Sequence, residues 1–179
     1  MLKNARGAFL NVFEPSTVNG EGDPRYGATA IIEPDHPQLA EIRSTIDAVA
    51  KEKWKDKAQG ILQGLYKTGK VALHEGDEKL NYEGFPGNYY VSASAKQNAR
   101  PGVFGPDRSP LIETDGRIYS GAYYNFSLEF WAQDNGYGKR INCTLRGLQF
   151  MRDGETFGGT RPADSDEFEE EVAGADDFA

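Results

Sequence analysis

The chain has 179 residues, 28 of them acidic and 20 basic, for a formal net charge of −8 with a single cysteine. That length suits one domain with a real hydrophobic core, the lone Cys143 excludes an internal disulfide framework and fits a reducing compartment, and no apolar run is long enough for a membrane-spanning helix. The opening MLKNARGAFLNVF lacks the apolar centre of an export signal.

Taken in chain order, residues 6–14 (RGAFLNVFE) and 25–33 (RYGATAIIE) read as strands on either side of the loop PSTVNGEGDP. In residues 35–57, Leu39, Ile42, Ile46, Val49 and Ala50 recur at helical spacing, and Pro37 suits a first helical position behind Asp35 or His36 as cap. Residues 70–76 and 88–96 return to short strands. The segment 100–110 (RPGVFGPDRSP), with three prolines and two glycines, reads as an irregular loop. The strongest β signal is 121–152, where two runs flank DNGYG, a sequence with hairpin-turn chemistry. Many strands, one inserted helix and long loops predict a mainly β protein, a small barrel of the OB-fold type.

The charge divides unevenly. Residues 1–161 hold all 20 Lys and Arg and 20 of the acids, so this body is neutral, and the other eight acids lie in 162–179. The expected organisation is a domain over 1–161 and an acidic C-terminal tail over 162–179, too poor in apolar residues and too self-repelling to order itself. A low whole-chain pI therefore does not exclude a nucleic-acid role for the body. Its bases also cluster: neither 88–106 nor 136–152 contains an acid.

Strand periodicity separates two faces of the hairpin. Tyr124, Phe126, Leu128 and Phe130 share one face with Ile141, Cys143 and Leu145, which reads as core. The other face carries Tyr123, Asn125 and Trp131 on one run and Arg140, Asn142, Thr144 and Arg146 on the next. Exposed rings stack on unpaired bases while Arg and Lys track phosphates. The candidate stacking residues are Tyr90, Tyr123 and Trp131, with Tyr137 at the turn; the candidate phosphate contacts are Lys96, Arg100, Lys139, Arg140 and Arg146.

Catalytic and cofactor motifs fail on inspection. His36, a helix-start residue, and His74, a strand-surface residue, cannot build a closed zinc site with one cysteine. GLYKTGK, residues 64–70, lacks the Ser or Thr and the following helix of a phosphate-binding loop. Asp107, Glu113, Asp115 and Asp134 lie in or beside loops and do not suggest converging metal ligands. The expectation is a binding protein that needs no metal or cofactor, with a single nucleic-acid strand, DNA or RNA, as partner, and duplex more weakly. A protein-interaction adaptor or inhibitor with an aromatic hot-spot face is the rival class.

The stretches MLKNARGAFLNVFEP, GNYYVSASAKQNARPGVFG and IYSGAYYNFSLEFWAQDNGYGKRINCTLRGLQF, followed by an acidic ending DDFA, resemble a family of single-stranded-DNA-binding proteins of tailed phages. The resemblance implies an OB-fold that protects single strands during replication, recombination and repair in the cytoplasm of the infected host. It also implies a tail (Asp164, Asp166, Glu167, Glu169, Glu170, Glu171, Asp176, Asp177 and Phe178) that competes with DNA and recruits replication or recombination proteins of phage or host. Family tails commonly end in a terminal Phe; here Ala179 follows Phe178.

Overall fold

In a computed structural model, residues 1–18 and 20–157 are described. The strands are β1 (Leu2–Val18), β2 (Glu21–Ile32), β3 (Leu73–Glu75), β4 (Tyr89–Lys96), β5 (Gly102–Phe104), β6 (Tyr123–Asn135) and β7 (Gly138–Arg152). Two helices, α1 (Leu39–Trp54) and α2 (Ala58–Lys67), are inserted between β2 and β3. No helix among the described residues is long and apolar enough to cross a membrane.

Five strands close on themselves. β1 pairs with β2 and β6, β2 with β4, and β6 with β7, all antiparallel, and a parallel contact at Ser94↔Thr144 joins β4 to β7. The cycle β1-β2-β4-β7-β6 is the five-stranded, partly open Greek-key barrel expected of an OB-fold. The closing edge of β4 is shared: β3 pairs with its first half, Leu73↔Val91, and β7 meets it at Ser94. β5 lies parallel to the far end of β7.

Alternation builds the interior. Ala28, Ala30 and Ile32 of β2, Val91 and Ala93 of β4, Tyr124 and Phe126 of β6, and Ile141, Cys143 and Leu145 of β7 are buried together. The register slips between Ser127 and Leu128 of β6, where β7 moves from Leu145 to Gly147, and the inward phase passes to Leu148 and Phe150. Such a bulge bends the ribbon, which a small barrel requires. Tyr124 is fully buried, and its hydroxyl accepts from the Tyr119 N–H at 2.8 Å and lies 2.9 Å from the Tyr119 carbonyl.

The helices complete the same core. α1 buries Leu39, Ile42, Ile46, Ala50 and Trp54, one stripe at three- and four-residue steps, and α2 adds Ala58, Leu62 and Leu65. Each fully buried Leu or Ile contributes about 1.5–3 kcal/mol. The Trp54 indole N–H donates to Asp134 at 2.9 Å and ties α1 to the β6–β7 hairpin.

Several local expectations are corrected. The helix begins at Leu39, not Pro37, and Gln38 as N-cap makes no side-chain cap bond; His36 Nδ1 instead accepts from the Gln38 N–H at 3.0 Å. Helical structure continues past residue 57 through a 3-10 turn into α2, with Lys55 in the left-handed region at φ 53°. The loop expected at 15–24 is largely strand, because β1 and β2 pair on outward to Val18↔Glu21. β5 forms inside the expected loop 100–110. GLYKTGK ends a helix rather than preceding one, the reverse of a phosphate loop.

Candidate nucleic-acid interface

Antiparallel partners share a face, so the register identifies the outer surface of the barrel. On β2 and β4 the outer pairs are Arg25↔Lys96, Gly27↔Ser94, Thr29↔Ser92 and Ile31↔Tyr90. Next to Ser94 lies Thr144 of β7, and beyond it β6 supplies Glu129 opposite Thr144, Trp131 opposite Asn142 and Gln133 opposite Arg140. These strands form a groove of about 790 Å³. It is open to solvent, floored by small polar side chains and walled by Trp131 and the basic residues.

Four permanent cations line it, Arg25, Lys96, Arg140 and Arg146, against the single carboxylate of Glu129. The Trp131 ring is 42% exposed, and its indole N–H donates to the Thr144 hydroxyl at 3.1 Å, which fixes its orientation. Asn142 Nδ2 donates to Gln133 Oε1 at 2.9 Å, and Arg25 Nη1 lies 3.4 Å from Ser94 Oγ. Arg146 Nη1 meets Glu129 Oε2 at 2.8 Å. The arrangement supplies one held aromatic face and a set of cations on a concave surface, which suits a flexible polyanion with exposed bases.

At one end of the groove stands His74 of β3, stacked on Tyr90 at 4.8 Å between centroids and 3.6 Å from Glu78. Burial lowers the His74 pKa below its ordinary value, with Glu78 pulling the other way. Burial, then the Glu78 carboxylate, pushes the Tyr90 phenol up to about 12. Cys143 lies beneath the floor, and burial pushes its thiol up to about 12, so it stays a neutral thiol. Among the described residues no group of three or more His, Cys, Asp or Glu side chains could hold a metal ion.

The groove gathers Lys96, Trp131, Arg140 and Arg146 from the sequence-based set. Lys139 is beside it on the hairpin, with its ammonium 3.7 Å from Asp134, and Arg100 is exposed on the chain between β4 and β5. Tyr137 protrudes from the β6–β7 turn at 93% exposure. Two aromatic expectations fare differently. Tyr90 is on the outer face but only 4% exposed, because Phe85 covers it with Ala8 and Ile31, so its ring has no face to offer a base. Tyr123 lies at the other end of β6, where the Arg152 guanidinium sits 3.7 Å from its ring centroid and that of Arg6 5.7 Å. The tail acids and Phe178 lie outside the described residues.

Sequence reading missed Arg25 and Gln133. The signal for Arg25 was available: β2 alternates Tyr26, Ala28, Ala30 and Ile32 inward, which turns Arg25, Gly27 and Thr29 outward.

Three comparisons bear on this geometry. The profile of a family described as "Enterobacter phage Enc34, ssDNA-binding protein" matches residues 1–179. Protein p50 of Acyrthosiphon pisum secondary endosymbiont phage 1 is 40% identical over 175 residues, covering 94% of this chain and 91% of the relative. Among solved structures, the single-stranded DNA-binding protein from bacteriophage Enc34 in complex with ssDNA is similar with a TM-score of 0.70 at 24% identity, covering 87% of each chain. Gp2.5, a single-stranded DNA binding protein encoded by bacteriophage T7, is similar with a TM-score of 0.60 at 11% identity, covering 95% of this chain and 96% of the other. At these identities the structural likenesses establish a shared fold.

Proposed function

Because the chain belongs to the phage single-stranded-DNA-binding family represented by Enterobacter phage Enc34, we propose that it binds a single strand along the outer face of β2, β4, β7 and β6. The family is one of binding proteins rather than enzymes. The observation that carries the placement is the groove itself, where Trp131 is held by Thr144 among Arg25, Lys96, Arg140 and Arg146. Outer strands 2 and 3 of an OB barrel, here β2 and β4, and the turn between its last two strands are a recurrent oligonucleotide surface of this fold.

Recognition is sequence-independent in this reading. Every base has a π-face for Trp131, and the cations meet phosphates, which carry no sequence information. Stacking needs unpaired, unstacked bases, so duplex binds more weakly, through phosphates alone. Lys139 and Arg100, flanking the groove, extend the phosphate track. A protein of this kind covers single strands during phage replication, recombination and repair in the host cytoplasm.

The tail has a second part in the proposal. The eight carboxylates of 162–179, tethered to a basic groove, have a high effective concentration there and compete with DNA phosphates. When DNA displaces them, the acids and Phe178 become available to replication or recombination proteins of phage or host.

A salt-varied oligo(dT) titration of the full chain and of residues 1–161 tests both parts. Binding should weaken with salt at a slope of about −0.7 per phosphate contact, roughly −3 if all four groove cations engage. Affinity that ignores salt would rule out the groove as the binding surface. The shortened chain should bind more tightly and discriminate less against duplex; equal or weaker binding would rule out competition by the tail.

A further inference from the structure

Phe9 departs from the alternation of its strand. It has φ 51°, in the left-handed region that bulky residues avoid, and the β1–β2 register is broken between Ala8 and Asn11. As a result Ala8 and Phe9 both face outward: Ala8 is buried under Phe85, and Phe9 packs against Phe85 at 5.8 Å and edge-on to Tyr82 at 5.2 Å. Both rings remain open, Phe9 at 44% and Tyr82 at 50% exposure. The Lys79 ammonium stands over them, 5.8 Å from the Phe9 centroid and 5.5 Å from that of Tyr82. The ion pairs found among the described residues do not include Lys79.

A backbone outlier that exposes a large apolar ring is a reason to look for a ligand. The position lies two strands away from the groove. Ser92 of its floor is opposite Thr29, and Thr29 is opposite Ala8, next to Phe9. Two interstrand spacings amount to about 10 Å. Two acids next to Lys79 in the chain are engaged locally: Asp77 accepts from the Gly87 N–H at 2.8 Å, and Glu78 contacts His74 and the Tyr90 hydroxyl.

We propose that Phe9 and Tyr82, with Lys79, form a second base-stacking platform that takes the strand onward from the groove across β2 and β1. The proposal rests on the groove reading above and adds the direction in which a longer strand leaves it. The bases of the extension stack on the two open rings, and the Lys79 ammonium meets an intervening phosphate. Short strands fill the Trp131 groove alone, and longer ones reach both platforms.

The test compares oligo(dT) of about 6 and about 16 nucleotides, within and at the upper end of the range for one OB fold. Binding to the full chain is measured for Phe9→Ala, Tyr82→Ala and Tyr82→Phe, with thermal melting to establish that each is folded. Each alanine variant should bind the longer strand roughly 5-fold or more weakly and leave the shorter one unchanged. Tyr82→Phe, which keeps the ring, should bind both as the unchanged protein does. Undiminished binding of the longer strand by both alanine variants overturns the platform and leaves the patch as a surface for a protein partner. Equal losses at both lengths also overturn it, because the rings would then be acting through the groove. If the unchanged protein binds neither strand, the groove reading itself falls, and the platform with it.

Discussion

Arg146 and Glu129 meet at 2.8 Å across β6 and β7 on the rim of the groove, and both side chains are more than half exposed. An exposed pair of this kind is worth well under about 1 kcal/mol to the fold. In the proposed complex its importance is to DNA, because Glu129 is the one carboxylate among the groove cations and occupies the guanidinium that a phosphate would take. Glu129→Gln should therefore tighten oligo(dT) binding and steepen its salt dependence by about 0.7, with little change in melting temperature. An unchanged salt slope would show that Glu129 does not hold Arg146 away from phosphate.

Trp131 offers a direct optical readout. The only other tryptophan, Trp54, is buried and hydrogen-bonded to Asp134. Stacking of bases on Trp131 should quench its fluorescence, and Trp131→Phe should abolish that quench while retaining much of the affinity. Trp131→Ala should weaken binding by about 1–3 kcal/mol. A quench that survives Trp131→Phe would place the strand elsewhere.

Beneath the site, the Tyr124 hydroxyl accepts from the Tyr119 N–H and reaches the carbonyls of Tyr119 and Arg117 at 2.9 and 3.3 Å. Tyr124→Phe leaves that N–H and those acceptors without their partner, at a cost of about 1–3 kcal/mol. Burial raises the Tyr124 pKa, so the ring is a neutral phenol throughout the physiological range. Denaturant unfolding should show a lower midpoint with an unchanged slope. A wild-type midpoint would mean that the hydroxyl is dispensable to the 117–124 turn.

The parts legible in the sequence are those governed by local periodicity. The stripe from Leu39 to Ala50, the DNGYG turn and the two faces of β6 and β7 needed only the spacing of apolar residues. α2 was hidden because Gly60 and Gly64 lower its helical propensity, and its stability comes from packing Leu62 and Leu65 on a core assembled from distant strands. The outer half of the β1–β2 ribbon looked like a loop because its Gly and Pro residues are turn formers, whereas antiparallel pairing carries it as strand. Tyr90 shows a different limit. Alternation correctly turns it outward, but only the tertiary fold brings Phe85 across it. Arg25 joins Lys96 through a pairing of residues more than seventy positions apart, as roughly counted along the chain, and the outward phase of β2 was the only local hint of it.

The last prediction concerns pH and follows from His74. Its imidazole is packed on Tyr90 and faces Glu78, Lys79 and Arg140. Burial is the largest influence and favours the neutral form; Glu78 opposes it, and Lys79 and Arg140 add to the lowering. The folded protein therefore takes up the His74 proton at lower pH than the unfolded chain, whose histidine titrates near 6.5. Where the unfolded state binds more protons, stability rises with pH. The His74 contribution should thus be complete above pH 6.5 and lost as pH falls through the lower folded value. His74→Gln, which cannot titrate, should flatten that part of a stability profile measured by urea unfolding. In the proposed complex a bound strand brings phosphates towards the groove wall that His74 forms, and their charge favours the protonated ring. Binding of oligo(dT) below pH 6.5 should accordingly take up protons in the native protein and fewer in His74→Gln. Equal proton uptake by the two proteins would show that the strand does not approach this end of the groove.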